Sequence, residues 1–343
     1  MKPTKDPPLF AVHWAEELGA DPNCLERLQG GINNQVFRSS DGAQNWVIKG
    51  YSPVKPGQPD RMLAEQQFLV FANQIAPGFT PSLVCADHDR RCVVLEYVHG
   101  VTFGEDVPPS AEAVSEAVRF INLLNRDPQQ AREYIQLDAA EGFQSLSQHI
   151  ANVQSRLDAM SLQHISTEVK PLAEVLLQQV STELCQVARQ THRAIEQGVI
   201  SDSISLDERC VSPSDFGFHN AISTAEGIRF IDFEFAGWDD PAKTTLDFIL
   251  QPRVPVVGFG SPLLSAWQQE ERPSIQSRCQ YLAPILRLKW LCILLSVLNP
   301  SRLQHILDVI SIETRSQLVL TRIKSAEIYL ARTQSVCSSI DPI

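Results

Sequence analysis

The sequence predicts an α+β fold in two parts, a small β-rich N-terminal lobe over residues 1–100 and a larger, mainly helical C-terminal lobe over residues 101–343. Three observations predict it. Short apolar, β-branched runs separated by turn residues fill the first hundred positions, with one stretch of helical spacing among them. Beyond Thr102 the pattern changes to long segments of helical period. One strand-rich island, from about Cys210 to Phe235, then interrupts the helices.

Gln35-Val36-Phe37-Arg38 and Asn45-Trp46-Val47-Ile48-Lys49 read as strands joined through the turn signal Asp41-Gly42. Asp60 to Ile75 shows helical spacing, and Cys92 to Val98 reads as a strand that ends at Gly100. The change of texture near His99–Gly104 marks the candidate hinge between the lobes. Ser110 can cap a helix reaching about Asn125, and further helices are expected over Leu146–Met160 and Thr167–Gln197. Helices resume at Pro284–Leu298 and from Leu303 towards Arg332, with a loosely held tail after Thr333.

Composition narrows the function classes. Hydrophobic residues make up 43% and charged residues 20% of the 343, the balance of a globular chain. A net charge of −11 argues against nucleic-acid and membrane partners, because either would need a broad basic surface. Met1–Phe10 is polar and carries no apolar core of signal-peptide length. The longest apolar stretch, Trp290–Leu298, is about half a membrane span and reads as a buried helix. Eight cysteines without a C-x-x-C pair read mostly as buried free thiols, and the expected compartment is the cytoplasm.

The densest polar signal is Ser214-Asp215-Phe216-Gly217-Phe218-His219-Asn220, followed by a strand pair and Ile231-Asp232-Phe233-Glu234-Phe235. A carboxylate at the mouth of a buried strand, beside a loop holding a second carboxylate and an amide, can assemble oxygen ligands for a hard cation. Mg²⁺ draws only one or two carboxylates from protein and completes its shell with phosphate oxygens and water. A separate carboxylate can orient or deprotonate an attacking hydroxyl. Taken singly, each of these residues is as readily a turn or cap residue; it is the combination that carries chemistry. For His219 a structural role stands level with a chemical one.

This D-x-x-x-x-N, hairpin, I-D-F-E pattern resembles the catalytic region of the aminoglycoside phosphotransferase and choline kinase-like family, which has a bilobal protein-kinase-like fold. The resemblance implies Asp215 as the catalytic carboxylate, Asn220 and Asp232 as Mg²⁺ ligands, and ATP as donor to a small-molecule acceptor. Phe235 to Pro241 also resembles the family's segment after the metal Asp, with Asp247 at the place of a later Asp. Two departures stand out. The family usually opens this loop with His-Gly-Asp, where this chain has Pro213-Ser214-Asp215, and often has His two places after the Asp, where this chain has Gly217.

A kinase-like reading also requires a glycine turn over the phosphates, a strand lysine and a helical glutamate to hold it. Gly30 and Gly31, followed by Asn34, supply the turn. Lys49 ends an apolar strand. Glu65 shares a helix face with Phe68, Leu69 and Ala72, so its charge needs a partner. Lys49 is that partner in this reading, and Arg61, four residues earlier, is the alternative. Leu95-Glu96-Tyr97-Val98 falls where the fold's hinge meets adenine, so Glu96 and Val98 join the nucleotide-contacting set. Asp239 and Asp240 beside Trp238 read either as a contact for a cationic or sugar substrate or as a solvated turn. Nucleotidyl transfer on the same site and a catalytically silent scaffold stay open as rival uses.

Overall fold

The computed structural model describes residues 6–28, 34–104, 106–163, 165–256, 273–301 and 312–339. The chain divides into two compact units, Met1–Gly142 with Cys210–Trp238, and Phe143–Arg209 with Asp239–Ile343. The predicted Gly30–Gly31 turn lies outside the described residues.

The first unit is built on a five-stranded antiparallel sheet. Its strands are β1 (Glu26–Arg27), β2 (Asn34–Ser40), β3 (Asn45–Tyr51), β4 (Leu83–Asp87) and β5 (Cys92–Glu96), in the order β1-β2-β3-β5-β4. β3 is flanked on both sides, with Lys49 opposite Val36 on β2 and Val93 on β5. Helix α1 (Leu9–Glu17), which the sequence reading missed, lies on this sheet. A side chain at Gly50 would put its Cβ 2.2 Å from Phe10 Cζ, so the Phe10 ring of α1 sits directly over this glycine. Helix α2 (Arg61–Ile75) begins at Asp60, whose carboxylate accepts from the amides of Met62 and Leu63, and buries Phe68, Leu69, Phe71 and Ala72.

Two further helices, α3 (Ala111–Leu124), capped by Ser110, and α4 (Pro128–Tyr134), belong to the same unit. So do β6 (Val101–Thr102), β7 (Cys210–Ser212), β8 (Ala221–Thr224) and β9 (Gly227–Phe230), while β10 (Gly237–Asp239) pairs with β7. The order β6-β8-β9 forms a second small sheet. An aromatic core ties these pieces to α2 and α3. Phe68 stacks on Phe233 at 4.4 Å, Phe120 stacks on Phe230 at 5.3 Å, and Phe216 meets Phe230 at 4.8 Å. The phenylalanines of the polar island are thus its anchors.

The second unit is helical, with α5 (Leu146–Asp158), α6 (Lys170–Glu196), α7 (Pro241–Leu250), α8 (Pro273–Leu294) and α9 (Ile312–Ser339). α6 buries Ala173, Leu176, Val180, Leu184, Val187, Thr191 and Ala194, the three-and-four spacing of one helix face. α8 is buried over most of its length, its Arg278, Arg287 and Lys289 included, and packs against α5, α6, α7 and α9. Ile275–Leu298 is long and apolar enough to cross a membrane, yet most of it is buried in the unit.

Two boundaries differ from the sequence reading. α8 starts eleven residues before Pro284, which lies inside it: neighbours on every side hold the helix through a residue that usually begins one. α9 continues to Ser339, past the tail expected after Thr333.

Candidate active site

The site is assembled wholly within the first unit. Lys49 on the central strand β3 donates to Glu65 Oε2 at 2.5 Å and to Asp232 Oδ1 at 2.6 Å. Glu65 also accepts from the Tyr51 hydroxyl at Oε2 and from the Phe233 amide at Oε1, 3.4 Å away. The period-2 alternation of β3 puts Tyr51 on the same face as Lys49. Of the two partners left open for Glu65, Lys49 is therefore the one it has. Arg61 instead approaches Glu234, at 3.9 Å, and lies over the Phe235 ring.

Lys49 and Glu65 are only 5% and 1% exposed, which decides the electrostatics. Burial alone would depress the Lys49 ammonium, but the carboxylates of Glu65 and Asp232 outweigh it and raise its pKa above the ordinary lysine value. Burial, reinforced by the Glu65 charge, pushes the Tyr51 phenol well up and keeps it a donor. Glu234 accepts from the Asn34 amide at 2.5 Å. Its carboxyl is pushed up by burial, against the pull of Lys49.

The loop after β7 carries the second half of the site. Ser214 holds φ +66°, in the left-handed region where the family has glycine, and its hydroxyl donates to the Ala140 carbonyl at 3.2 Å. Phe216 and Phe218 are buried on either side of Gly217. Asn220 Nδ2 donates to the Asp215 carbonyl at 3.0 Å and lies 3.4 Å from Asp215 Oδ2. The His219 imidazole meets Asp215 Oδ1 through Nε2 at 3.1 Å.

The Ile231 amide donates to the Asn220 carbonyl at 2.9 Å, which sets Asp232 beside the loop. Asp232 has φ +68°, a conformation that a non-glycine residue holds only when its surroundings enforce it. Five of the predicted groups thus fall into two adjoining sets: Lys49 touches Glu65 and Asp232, and Asn220 links Asp215 to the strand end preceding Asp232.

The donor set suits a hard divalent cation. Asn220 commits its Nδ2 to the Asp215 main chain, so Oδ1 is the atom it can offer. The Asp232 carboxylate is 34% exposed and accessible. No group of three or more His, Cys, Asp or Glu side chains forms a closed metal cluster among the described residues. Mg²⁺ does not need one, since phosphate and water complete its shell.

Other predicted contacts sit differently. Glu96, at the end of β5, accepts from the Ser82 amide and hydroxyl, both at 3.0 Å, and lies 3.6 Å from Arg229. Its side chain braces the sheet. Val98 lies half-buried just beyond that strand. Tyr51 and Glu234 are members that sequence reasoning passed over, although each stands two residues from a recognised one.

In the second unit, Asp239 and Asp240 are fully buried, so they form neither a substrate contact nor a solvated turn. Asp239 pairs with Lys243 at 2.5 Å; Asp240 caps α7 and pairs with Arg278. Asp247 pairs with Lys289 at 2.5 Å and Lys243 at 3.3 Å and accepts from the Trp290 indole. Burial penalises these carboxylates, so each needs a cation from the next turn or a distant helix.

The profile of the phosphotransferase enzyme family matches residues 25–243, a span that includes every group of the site. No curated protein sequence matches the chain. Among solved structures, a spectinomycin phosphotransferase in complex with ADP and spectinomycin is similar at TM-score 0.60, with 12% identity over 94% of this chain and 99% of that one. A choline kinase from Cryptosporidium parvum gives TM-score 0.56, 13% identity, and 93% and 91% coverage. A choline/ethanolamine kinase family protein from Mesorhizobium loti gives 0.53, 16%, and 96% and 100%. The mixed fold, a β-rich N-terminal sheet with a helical C-terminal part, is the protein-kinase-like one that the motifs imply. The chain belongs to the phosphotransferase enzyme family, which bears out the enzyme class implied by its motifs, a small-molecule kinase.

Proposed function

We propose that the chain transfers the γ-phosphoryl group of ATP to a hydroxyl of a small molecule, so that ROH and ATP give the phosphate ester, ADP and a proton. The observation that carries this reading is the buried lysine held between Glu65 and Asp232, beside a loop that presents Asp215. Lys49, kept cationic by two carboxylates, is suited to grip the nucleotide phosphates. In sequence, Gly30, Gly31 and Asn34 stand where a phosphate turn belongs in this reading, and the backbone near Glu96 and Val98 suits adenine. Asp215 aligns the acceptor hydroxyl and takes its proton as the oxygen attacks phosphorus and the bond to the ADP oxygen breaks. Asp232 and Asn220 would hold Mg²⁺, which supplies charge neutralisation at the phosphate oxygens.

The named ligands of the similar structures, ADP with spectinomycin and, by enzyme name, choline, support an adenine nucleotide and a hydroxyl-bearing acceptor. Sugars, amino alcohols and aminoglycosides are the classes to try. The same reading places the chain in the cytoplasm, where ATP is supplied and its free thiols stay reduced.

The test is product mass after incubation with ATP, Mg²⁺ and an acceptor library. Gain of a phosphoryl group on an acceptor is expected; gain of AMP, or no ATP consumption with any acceptor, refutes it. A thermal shift with Mg²⁺ and ATP is expected in the native chain and should be lost in Asp232→Ala.

A further inference from the structure

We infer that His219 is a positioning residue for the catalytic carboxylate: its Nε2–H holds Oδ1 of Asp215 and thereby assigns Oδ2 to the acceptor hydroxyl. The inference rests on the reading of Asp215 as the group that receives the acceptor's proton.

Three observations carry it. Nε2 lies 3.1 Å from Asp215 Oδ1, a hydrogen-bonding distance. The imidazole is 5% exposed, whereas the Asp215 side chain is 36% exposed, so an immobile ring holds a carboxylate that faces solvent. Finally, Nδ1 is buried and has no hydrogen-bond partner among the described residues. A proton on Nδ1 would therefore be a buried donor with nothing to receive it. It would also turn the Nε2 lone pair against a carboxylate oxygen at contact distance in the neutral ring. The proton belongs on Nε2.

The geometry also separates the two carboxylate oxygens. Oδ1 takes the short imidazole bond, while the Asn220 amide reaches Oδ2 only at 3.4 Å, a contact an incoming hydroxyl can displace. The histidines that the family places before and after this aspartate are replaced here by Pro213 and Gly217. The ring that orients Asp215 comes instead from four residues downstream, carried by the short turn Phe218–Asn220 and seated by the buried Phe218.

Because orientation of the base matters in the transition state more than in substrate binding, loss of His219 should lower kcat and leave KM nearly unchanged. A glutamine amide reaches the position of Nε2, whereas an asparagine amide reaches only that of Nδ1. His219→Gln is expected to keep kcat within about 3-fold of the native chain, while His219→Asn and His219→Ala lose about 10- to 50-fold, with KM for ATP and acceptor within about 2-fold. A purely structural role would make Gln and Asn alike and tie any loss to a lowered Tm.

An activity-independent readout is the ring tautomer from long-range ¹H–¹⁵N spectra, with the His219 signals assigned by their absence in His219→Gln. The Nε2–H tautomer is expected, with its shifts moved by Asp215→Ala. An Nδ1–H ring, or unchanged kcat in His219→Ala, overturns the inference. Absence of phosphoryl transfer by the native chain would sink the proposed function instead, and the tautomer would still report on the His219–Asp215 bond.

Discussion

Replacing Lys49 and Glu65 singly and together tests the electrostatic centre of the site. Both side chains are more than nine-tenths buried, so removing one leaves the other an uncompensated charge, a change that costs about 3–5 kcal/mol. Lys49→Met strands Glu65 with the Tyr51 hydroxyl and the distant Phe233 amide. Glu65→Leu leaves Lys49 with Asp232, whose 34% exposure screens that pair, and removes the acceptor of Tyr51. Each single variant should therefore lose about 3–4 kcal/mol of stability.

In the double variant both buried charges are gone, and what remains is about 1–2 kcal/mol for the Tyr51 hydroxyl and imperfect packing. The effects should fall short of additivity by about 4 kcal/mol or more. Denaturant unfolding followed by circular dichroism measures it, with all variants at one pH near neutrality. Additive losses, with a coupling below about 0.5 kcal/mol, would refute the claim that these groups share one buried ion pair.

Three other outcomes are expected. Asp215→Asn keeps the hydrogen bond from His219 but loses the base, so nucleotide affinity should hold while kcat falls about 10²–10⁴-fold in the phosphoryl-transfer assay. Asp60→Ala should cost about 1–2 kcal/mol, from the lost α2 cap and the paired contact with Arg91, while Asp60→Asn keeps the cap. The Arg91 hydrogen bond holds the Asp60 carboxyl below its ordinary value. Its share of stability is therefore complete above about pH 4 and lost as pH falls through the lowered folded value, and the gap between native and Ala variants should narrow in Tm scans at acid pH. Thiol labelling of the native chain at pH 8 should mark Cys24 and Cys185, which are exposed. Cys92 and Cys292, pushed up to about 12 chiefly by burial, should react only after unfolding.

Elements with strong period were legible in the sequence. The strands read at 35–38 and 45–49 and the helix read at 60–75 lie on the elements found at 34–40, 45–51 and 61–75, while the capping role of Asp60 came only from the structure. Shorter helices such as α1, α4 and α7 went unread, because seven to ten residues carry too few turns to reveal a period. In the site, Asp215, Asn220 and Asp232 were singled out by residue type and spacing, and Lys49 and Glu65 by what the family resemblance requires upstream. Asp239 and Asp240 were misread, since two adjacent carboxylates look solvated until Lys243 and the distant Arg278 are seen to neutralise them.

By itself the sequence determined the order of the strongly periodic strands and helices and the set of polar residues they carry, because backbone period and turn chemistry act over a few positions. Only the tertiary structure decided which charges meet. Lys49 and Asp232 are 183 residues apart, and Arg61 was as near to Glu65 in sequence as any rival could be. Packing of Phe68 on Phe233 and of Phe216 on Phe230 chose between them, because the cost of burying a charge without a partner is settled by the whole core and not by its neighbours along the chain.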